Sequence, residues 1–168
     1  MENNYKEGLK NISTFIFDVD GVLTDGSLLI DSDGNMLRKM NVKDGYALKV
    51  AIDSGYNVCI ISGGNNESVR KRLKGLGIKE IHLGSENKTE QLNSFIKKYD
   101  LDKKNILFMG DDIPDIPVLK IIGLPCCPQD ATPEVKNLCS YVSHKNGGMG
   151  AVRDVIEQVI KIQNTWAK

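Results

Sequence analysis

Short apolar runs alternate with longer amphipathic segments along this sequence. The apolar runs have the length of buried strands, which are predicted at residues 12–17, 57–61, 80–83, 105–109, 124–127 and 140–142. The intervening segments repeat apolar residues at helical spacing, which predicts helices at residues 44–54, 66–76, 87–99, 117–122 and 151–163. Strands separated by helices form parallel βαβ units. The pattern therefore predicts an α/β fold, with a doubly wound, mostly parallel, Rossmann-like sheet.

One segment departs from this alternation. Residues 27–30 and 36–40 flank the turn-forming sequence Asp31-Ser32-Asp33-Gly34-Asn35, which predicts a small β-hairpin insertion at about residues 26–40. The chain has 168 residues and no internal repeat or linker, so we expect a single domain over residues 1–168, with no room for a second. A lone hairpin has unpaired edges and is marginal in water. It either associates with hairpins of other copies or folds back on its own domain.

Composition narrows the classes of function. Lys plus Arg and Asp plus Glu each number 22, so the chain lacks the basic excess of a nucleic-acid-binding protein. No apolar run approaches the roughly 20 residues that span a bilayer, and the N-terminus has no apolar signal core. The cysteines form no CxxC pair, which favours reduced core thiols in a cytoplasmic protein. Trp166 is predicted to be a packing residue.

Polar and acidic residues follow several of the predicted strands. They include Asp18, Asp20, Ser62, Gly63, Asp111, Asp112 and Asp115. In open parallel sheets, ligands bind beyond the carboxyl ends of the strands. A single aspartate there is usually a turn former, but several carboxylates at one edge repel one another and require a cation. Without a histidine-rich ligand set, a hard ion such as Mg²⁺ fits better than zinc.

The same residue types can carry phosphoryl-transfer chemistry. One carboxylate can attack phosphorus to form an aspartyl-phosphate. A second carboxyl group two residues further on can protonate the leaving oxygen and then activate water. A hydroxyl and a backbone N–H from Ser62-Gly63, together with a lysine, can hold the nonbridging oxygens. Lys88 opens a predicted helix at the same edge and is the candidate lysine, although alone it would be taken for a solvated surface residue.

Four of these segments, in order, resemble the motifs of the haloacid dehalogenase superfamily of phosphatases. They are the sequence from Asp18 to Asp25, Ser62-Gly63, Lys88, and the sequence from Gly110 to Asp115. The resemblance runs from about residue 12 to the end of the chain. It implies that Asp18 is the nucleophile, that Asp20 is the general acid/base, and that Mg²⁺ is the cofactor. The further implied roles are metal binding by Asp18, the Asp20 carbonyl and Asp111, phosphate binding by Ser62, Gly63 and Lys88, and support by Asp112 and Asp115.

Within the superfamily, the segments from Asn41 to Tyr46 and from Gly147 to Asp154 are similar to the capless 3-deoxy-D-manno-octulosonate 8-phosphate phosphatases. This similarity implies hydrolysis of that sugar-acid phosphate in the lipopolysaccharide biosynthesis of a Gram-negative bacterium. It implies a homotetramer in which a neighbouring subunit covers the active site. It also implies substrate contacts from Asn41, Val42, Lys43, Asp44, Gly45 and Arg72. The glycine-rich segment 147–150 is either a lid or a simple loop before the last helix.

Two positions depart from the pattern of these phosphatases. Gly64 and Met149 stand where many members carry a basic residue, so the predicted leaving-group pocket has less positive charge. A nine-carbon 2-keto-3-deoxy sugar acid 9-phosphate therefore remains an alternative substrate. An alternative of a different class is a catalytically silent oligomerisation module, against which the retention of Asp18 and Asp20 counts.

Overall fold

The computed structural model describes residues 5–163, and all structural statements below concern that part of the chain. Trp166 lies outside the described residues. The strands are β1 (Thr14–Phe17), β2 (Leu29–Ile30), β3 (Met36–Leu37), β4 (Asn57–Ile61), β5 (Glu80–His82), β6 (Ile106–Met109), β7 (Leu124–Cys127) and β8 (Tyr141–Val142). The helices are α1 (Tyr5–Leu9), α2 (Val42–Asp53), α3 (Glu67–Gly75), α4 (Lys88–Tyr99), α5 (Ile116–Leu119), α6 (Pro133–Lys136) and α7 (Ala151–Ile162).

Six of these strands form one parallel sheet in the order β5-β4-β1-β6-β7-β8. The predicted α/β fold with a mostly parallel sheet is confirmed. The winding direction changes at β1, which lies between β4 and β6, so Phe17 pairs with Ile60 on one side and Met109 on the other. This reversal opens a crevice at the carboxyl ends of the central strands, where α/β proteins bind ligands.

The sheet is covered on both faces. Phe15 and Phe17 of β1 point into the core beneath α2 and α7, whereas Ile16 points into the core beneath α4 and α5. Alternate side chains of a strand face opposite sides of the sheet, and here both sides are buried. That double burial is why the central strands appear in the sequence as uninterrupted apolar runs.

The predicted elements agree with the structure most closely where they are long or fully buried. The strands predicted at residues 57–61 and 124–127 have those bounds. Helix α2 begins at Val42, earlier than predicted, because Asn41 Oδ1 accepts the backbone N–H of Lys43 at 2.8 Å and caps the helix there. Helices α1 and α6 have only five and four residues, too few for an apolar repeat to reveal them.

The predicted hairpin is present, but each of its strands has only two residues. Asp31 closes the turn, since its Oδ1 accepts the backbone N–H groups of Asp33 and Asn35 at 2.9 Å. The pairing is antiparallel and isolated from the main sheet. No helix within residues 5–163 is both long and apolar enough to cross a membrane.

Candidate active site

The loop after β1 holds Asp18 at the point where the sheet reverses its winding. The backbone N–H of Asp18 donates to the carbonyl of Met109, which continues the pairing with β6 by one residue. Its buried carboxylate accepts the N–H of Val19 at Oδ1 (2.6 Å) and the ammonium of Lys88 at Oδ2 (2.7 Å). The chain then turns because the N–H groups of residues 22–24 all converge on the carbonyl of Val19.

Lys88 is a buried cation between two carboxylates. Its Nζ lies 2.7 Å from Asp18 Oδ2 and 2.6 Å from Asp115 Oδ1, and only 6% of the side chain is exposed. Asn87 caps α4 by accepting the N–H of Glu90, which places Lys88 in the first helical turn at the edge of the sheet. Burial alone would lower the pKa of Lys88, but the charges of Asp18 and Asp115 raise it. Lys88 is therefore charged and is not a solvated surface residue.

The loop after β6 contributes the other aspartates. Asp115 is buried, and its Oδ2 accepts the N–H groups of Asp111 (2.9 Å) and Asp112 (3.3 Å). Asp112 caps the short 3₁₀ turn Ile113–Asp115 by accepting the N–H of Ile113. A side chain at Gly110 would overlap the carboxyl group of Asp115. Asp112 and Asp115 thus shape the loop that presents Asp111.

Three carboxylates meet around one point. Asp18, Asp111 and Asp115 each have an oxygen within 4.8 Å of the others. Burial and the charge of Asp115 raise the pKa of Asp18 to about 6, against the pull of Lys88. Burial and the neighbouring aspartates raise the pKa of Asp111 to about 7. An all-oxygen cluster that resists ionisation fits a hard divalent cation, which would relieve the repulsion.

The end of β4 forms the opposite wall of this site. The backbone of Ser62 donates to the carbonyl of His82 at 2.9 Å, and its own carbonyl accepts the N–H of Ser85, so the loop is fixed from both sides. Ser62 and Gly63 line a cavity of about 290 Å³ together with Asp18, Asp20, Lys88 and Asp111. The structure therefore brings the predicted catalytic, metal and phosphate-binding residues to one cavity.

Asp20 has a partner that the sequence did not reveal. Arg38, directly after β3, donates Nε to Asp20 Oδ1 at 2.9 Å and Nη2 to Oδ2 at 3.0 Å. Because β3 is so short, no alternation of polar and apolar residues marks which side chain of this segment points inward. Only the presence of a basic residue at the base of the hairpin was available as a signal.

The residues predicted to contact the sugar acid lie elsewhere. Among the described residues, none of the predicted set lines the catalytic cavity of its own chain: Asn41, Val42, Lys43, Asp44, Gly45 and Arg72. Val42 and Lys43 are exposed at the start of α2. Arg72 is exposed on α3 with its guanidinium against Gly45.

The carboxylate of Asp44 instead accepts hydrogen bonds from backbone N–H groups. Asp44 is buried at 1% exposure, and its carboxylate accepts the N–H groups of Arg153 (2.8 Å) and Gly150 (3.2 Å) at the start of α7. Gly150, at the N-cap position, has no side chain to do this, so α2 supplies the cap for α7.

The glycine-rich segment 147–150 is packed against the nucleophile loop. Gly148 donates its N–H to the carbonyl of Val22 at 2.9 Å and accepts Asn41 Nδ2 at its own carbonyl at 3.2 Å. A Cβ at Gly147 would overlap the carbonyl oxygen of Gly21, so only glycine allows this approach. In this structure the glycine-rich segment is hydrogen-bonded to the nucleophile loop and to Asn41.

Comparison with known proteins indicates a phosphatase family. A family model described as haloacid dehalogenase-like hydrolase matches residues 78–156. The 3-deoxy-D-manno-octulosonate 8-phosphate phosphatase KdsC of Salmonella typhi is 36% identical over 154 residues, covering 92% of this chain and 82% of that protein. The protein of the same name from Haemophilus influenzae is 33% identical and covers 94% and 88%, respectively.

Solved structures give the same result. The crystal structure of the Moraxella catarrhalis 3-deoxy-D-manno-octulosonate 8-phosphate phosphatase, in complex with a magnesium ion, a phosphate ion and a KDO molecule, has a TM-score of 0.93 at 33% identity, covering 96% of this chain and 93% of that one. The Yersinia pestis phosphatase of the same name has a TM-score of 0.94 at 31% identity, covering 97% and 88%.

The chain therefore belongs to the haloacid dehalogenase-like hydrolases and is a phosphoric monoester hydrolase. Within that family it is similar over most of its length to the 3-deoxy-D-manno-octulosonate 8-phosphate phosphatases. The resemblance predicted from the motifs is confirmed.

Proposed function

We propose that this protein hydrolyses 3-deoxy-D-manno-octulosonate 8-phosphate to the free sugar acid and phosphate, with Mg²⁺ as cofactor. The observation that carries the proposal is the meeting of Asp18, Lys88 and Asp111 at one cavity, in a chain whose relatives at 33–36% identity act on this ester. The magnesium, phosphate and KDO in the Moraxella catarrhalis structure support the same substrate. The proposal includes a place in lipopolysaccharide biosynthesis and a cytoplasmic location, with which the free thiols of this chain are consistent.

In the proposed mechanism, Asp18 attacks phosphorus while the bond from phosphorus to the sugar oxygen breaks. Asp20 donates a proton to that oxygen, so the sugar acid leaves as an alcohol. In the second half, Asp20 takes a proton from water as the water oxygen attacks the phosphoaspartate and releases phosphate. Lys88 and the Ser62-Gly63 loop hold the nonbridging oxygens through both halves.

The proposed metal ligands are the Asp18 carboxylate, the Asp20 carbonyl and the Asp111 carboxylate. When bound, Mg²⁺ supplies positive charge against the negative oxygens of the phosphoryl group. Asp115 belongs to the same cluster, but Lys88 and two backbone N–H groups already engage both of its oxygens. Asp112 and Asp115 are therefore proposed as supports of the loop.

The contacts to the sugar acid are proposed for residues 41–45 and for Arg72. Val42 and Lys43 are the exposed members of that segment, and they are available to a substrate held between subunits. A nine-carbon keto acid 9-phosphate is the second candidate substrate. The reason for this alternative is the absence of a basic residue at Gly64, at the catalytic cavity, and at Met149, which is 49% exposed within the glycine-rich segment.

The homotetramer is likewise a proposal. The hairpin exposes Leu28 (43%), Leu29 (68%), Ile30 (65%), Met36 (47%) and Leu37 (46%). Apolar side chains grouped on a two-stranded ribbon are costly in water, and pairing between copies would bury them. Residues 20–26 connect the hairpin to the nucleophile loop of its own chain, so a second hairpin packed against it would lie close to the catalytic cavity.

Phosphate release from the purified chain tests the function. The eight-carbon 8-phosphate and the nine-carbon 9-phosphate are compared by kcat/KM with Mg²⁺, and then after chelation of the metal. We expect turnover that requires Mg²⁺ and favours the eight-carbon ester. Preference for the nine-carbon ester would replace the substrate assignment, and absence of turnover on both would favour the oligomerisation module.

A further inference from the structure

Arg38 is the cation that faces Asp20. Its guanidinium makes a two-point pair with the carboxylate, with N–O distances of 2.9 and 3.0 Å, and 7% of the arginine side chain is exposed. A fork of this kind fixes the direction of both carboxylate oxygens, which a single hydrogen bond cannot do. The Asp20 side chain itself remains 33% exposed on the side of the catalytic cavity.

The loop after β4 leaves space for the pair of Asp20 and Arg38. A Cβ at Gly64 would lie 2.8 Å from Asp20 Oδ2 and 3.3 Å from Arg38 Nη2, so the Asp20 carboxylate would have to shift and the guanidinium would have to give way slightly. The backbone of Gly64 does not have a positive φ, so a side chain there would be opposed by the Asp20–Arg38 pair and not by backbone conformation. Glycine at residue 64 therefore leaves the space that the pair of Asp20 and Arg38 occupies.

Arg38 also donates to its own hairpin, which is in turn hydrogen-bonded to the residue that caps α3. Its Nη1 donates to the carbonyl of Met36 at 3.0 Å, and Asn66 Nδ2 donates to the same carbonyl at 3.0 Å. Asn66 also caps α3 through the N–H of Val69. The base of the hairpin is thus docked on the start of α3, and the guanidinium has a defined position from which to orient Asp20.

We propose that Arg38 is a positioning residue that aims the carboxyl group of Asp20 at the leaving oxygen of the substrate. This inference rests on the proposed function and adds to it the group that controls the acid/base step. When one Asp20 oxygen carries the proton, the Arg38 hydrogen bond to that oxygen opens and the bond to the other oxygen is kept. The proton then passes to the sugar oxygen as the phosphorus–oxygen bond breaks. The same Asp20 oxygen takes a proton from water as the phosphoaspartate is hydrolysed. Arg38 keeps its own proton throughout.

Leaving groups of different basicity test this role. A sugar-acid phosphate is an alkyl ester and needs a proton on its leaving oxygen, whereas p-nitrophenolate leaves p-nitrophenyl phosphate without one. For Arg38→Met we expect kcat/KM to fall about 100-fold on the sugar-acid ester but less than about threefold on the aryl ester. The aryl ester should then give a burst of one p-nitrophenolate per active site, since Asp20 also activates the water.

Two further variants separate positioning from folding. Arg38→Lys keeps the charge but loses the fork, and it should recover about a tenth of the lost kcat/KM on the sugar-acid ester. Gly64→Ala keeps the Arg38 side chain but crowds its pair with Asp20, most closely at Asp20 Oδ2, and it should reproduce the selective loss. Lys39→Met is the matched control, because Lys39 is a 74% exposed hairpin cation whose partner is Asp25; it should leave both substrates unaffected.

The outcomes are distinct. A loss that is equal on both esters in Arg38→Met, or no loss at all, would overturn the positioning role while leaving the proposed function standing. A wild-type chain that hydrolyses neither sugar-acid ester would overturn the proposed function, and this inference with it. Thermal unfolding of each variant accompanies the kinetics, so that a misfolded protein is recognised and the decision passes to Gly64→Ala.

Discussion

At the scale of single residues, the site depends on charges that are buried together. Lys88 bridges Asp18 and Asp115, and Asp111 completes the cluster. The carboxylates of Asp18 and Asp115 each have backbone and ammonium partners, so their geometry is set before any ligand binds. Three predictions concern these residues.

Asp18→Asn should abolish turnover while the fold persists. An amide cannot form the aspartyl-phosphate, so we expect kcat to fall by about 10⁴-fold or more. The variant also removes a buried carboxylate whose pKa is raised, so thermal unfolding should not shift downwards. Asp25→Asn in the same loop is the control, since Asp25 pairs with Ser27 and Lys39 outside the catalytic cavity. Substantial turnover in Asp18→Asn would mean that another group is the nucleophile.

Lys88→Met should destabilise the protein in a pH-dependent manner. Loss of the buried cation leaves Asp18 and Asp115 facing each other, which should cost about 3–5 kcal/mol near neutral pH. The cost should be smaller near pH 5, because Asp18 then takes up a proton and the repulsion disappears. Denaturant unfolding of wild type and variant at both pH values measures the difference. An equal loss at both would show that the cluster is not electrostatically coupled.

Mg²⁺ affinity should rise with pH. In the metal-free protein the pKa values of Asp18 and Asp111 are raised from 3.8 to about 6 and about 7. At pH values between 3.8 and these raised values, the two carboxyl groups are therefore protonated in the folded protein but ionised in the unfolded chain. Their contribution to stability is complete below pH 3.8 and is lost as the pH rises through 6 and 7. Mg²⁺ must displace the same protons. Calorimetry in buffers of different ionisation enthalpy should therefore detect proton release near pH 6 and little near pH 8.5, and constant affinity across this range would contradict it.

At the scale of elements, the structure depends on connections that cross from one segment to another. The N-terminus of α7 is capped by Asp44 of α2, and residues 147–150 are fastened to the nucleophile loop. Asp44 and Asn41 were predicted from the family resemblance to contact substrate, and in this structure both bind the backbone around the glycine segment. A motif shows that a residue type is required but not which neighbour requires it.

Asp44→Ala should lower the free energy of unfolding by about 1–3 kcal/mol, because two backbone N–H groups lose their acceptor. Denaturant unfolding measures it. Asp53→Ala on the same helix is the control, since Asp53 forms an exposed pair with Lys49 and should cost less than about 0.5 kcal/mol. If Asp44 served only the substrate, KM would change without any change in stability.

At the scale of the whole molecule, the position of the site follows from the topology. Strand-helix alternation was sufficient to predict a parallel sheet, and the residues after its strands were sufficient to predict Asp18, Ser62, Lys88 and Asp111 at one edge. Arg38 could not be predicted, because a two-residue strand carries no periodic signal and its contact with Asp20 spans 18 positions. Local patterns predict elements, but pairings between an insertion and the core depend on tertiary packing.

Leu29→Asp should break the proposed tetramer. Leu29 is 68% exposed on the hairpin, and a carboxylate there would be buried against a neighbouring copy. Light scattering at micromolar concentration should give a tetramer for wild type and smaller species for the variant. Leu138→Asp, at an apolar residue that is 37% exposed away from the hairpin, should remain tetrameric. A monomeric wild type would reject the assembly.

The hairpin presents one set of side chains to solvent and another to the active site. Leu37 faces outward at 46% exposure, and the next residue, Arg38, reaches inward to Asp20. The outward-facing Leu37 is therefore one peptide bond from Arg38, the residue that holds the proton donor Asp20. In the assembly proposed above, catalytic rate per subunit would consequently depend on protein concentration: dilution below the dissociation point would slow alkyl-ester hydrolysis before any loss of folded protein.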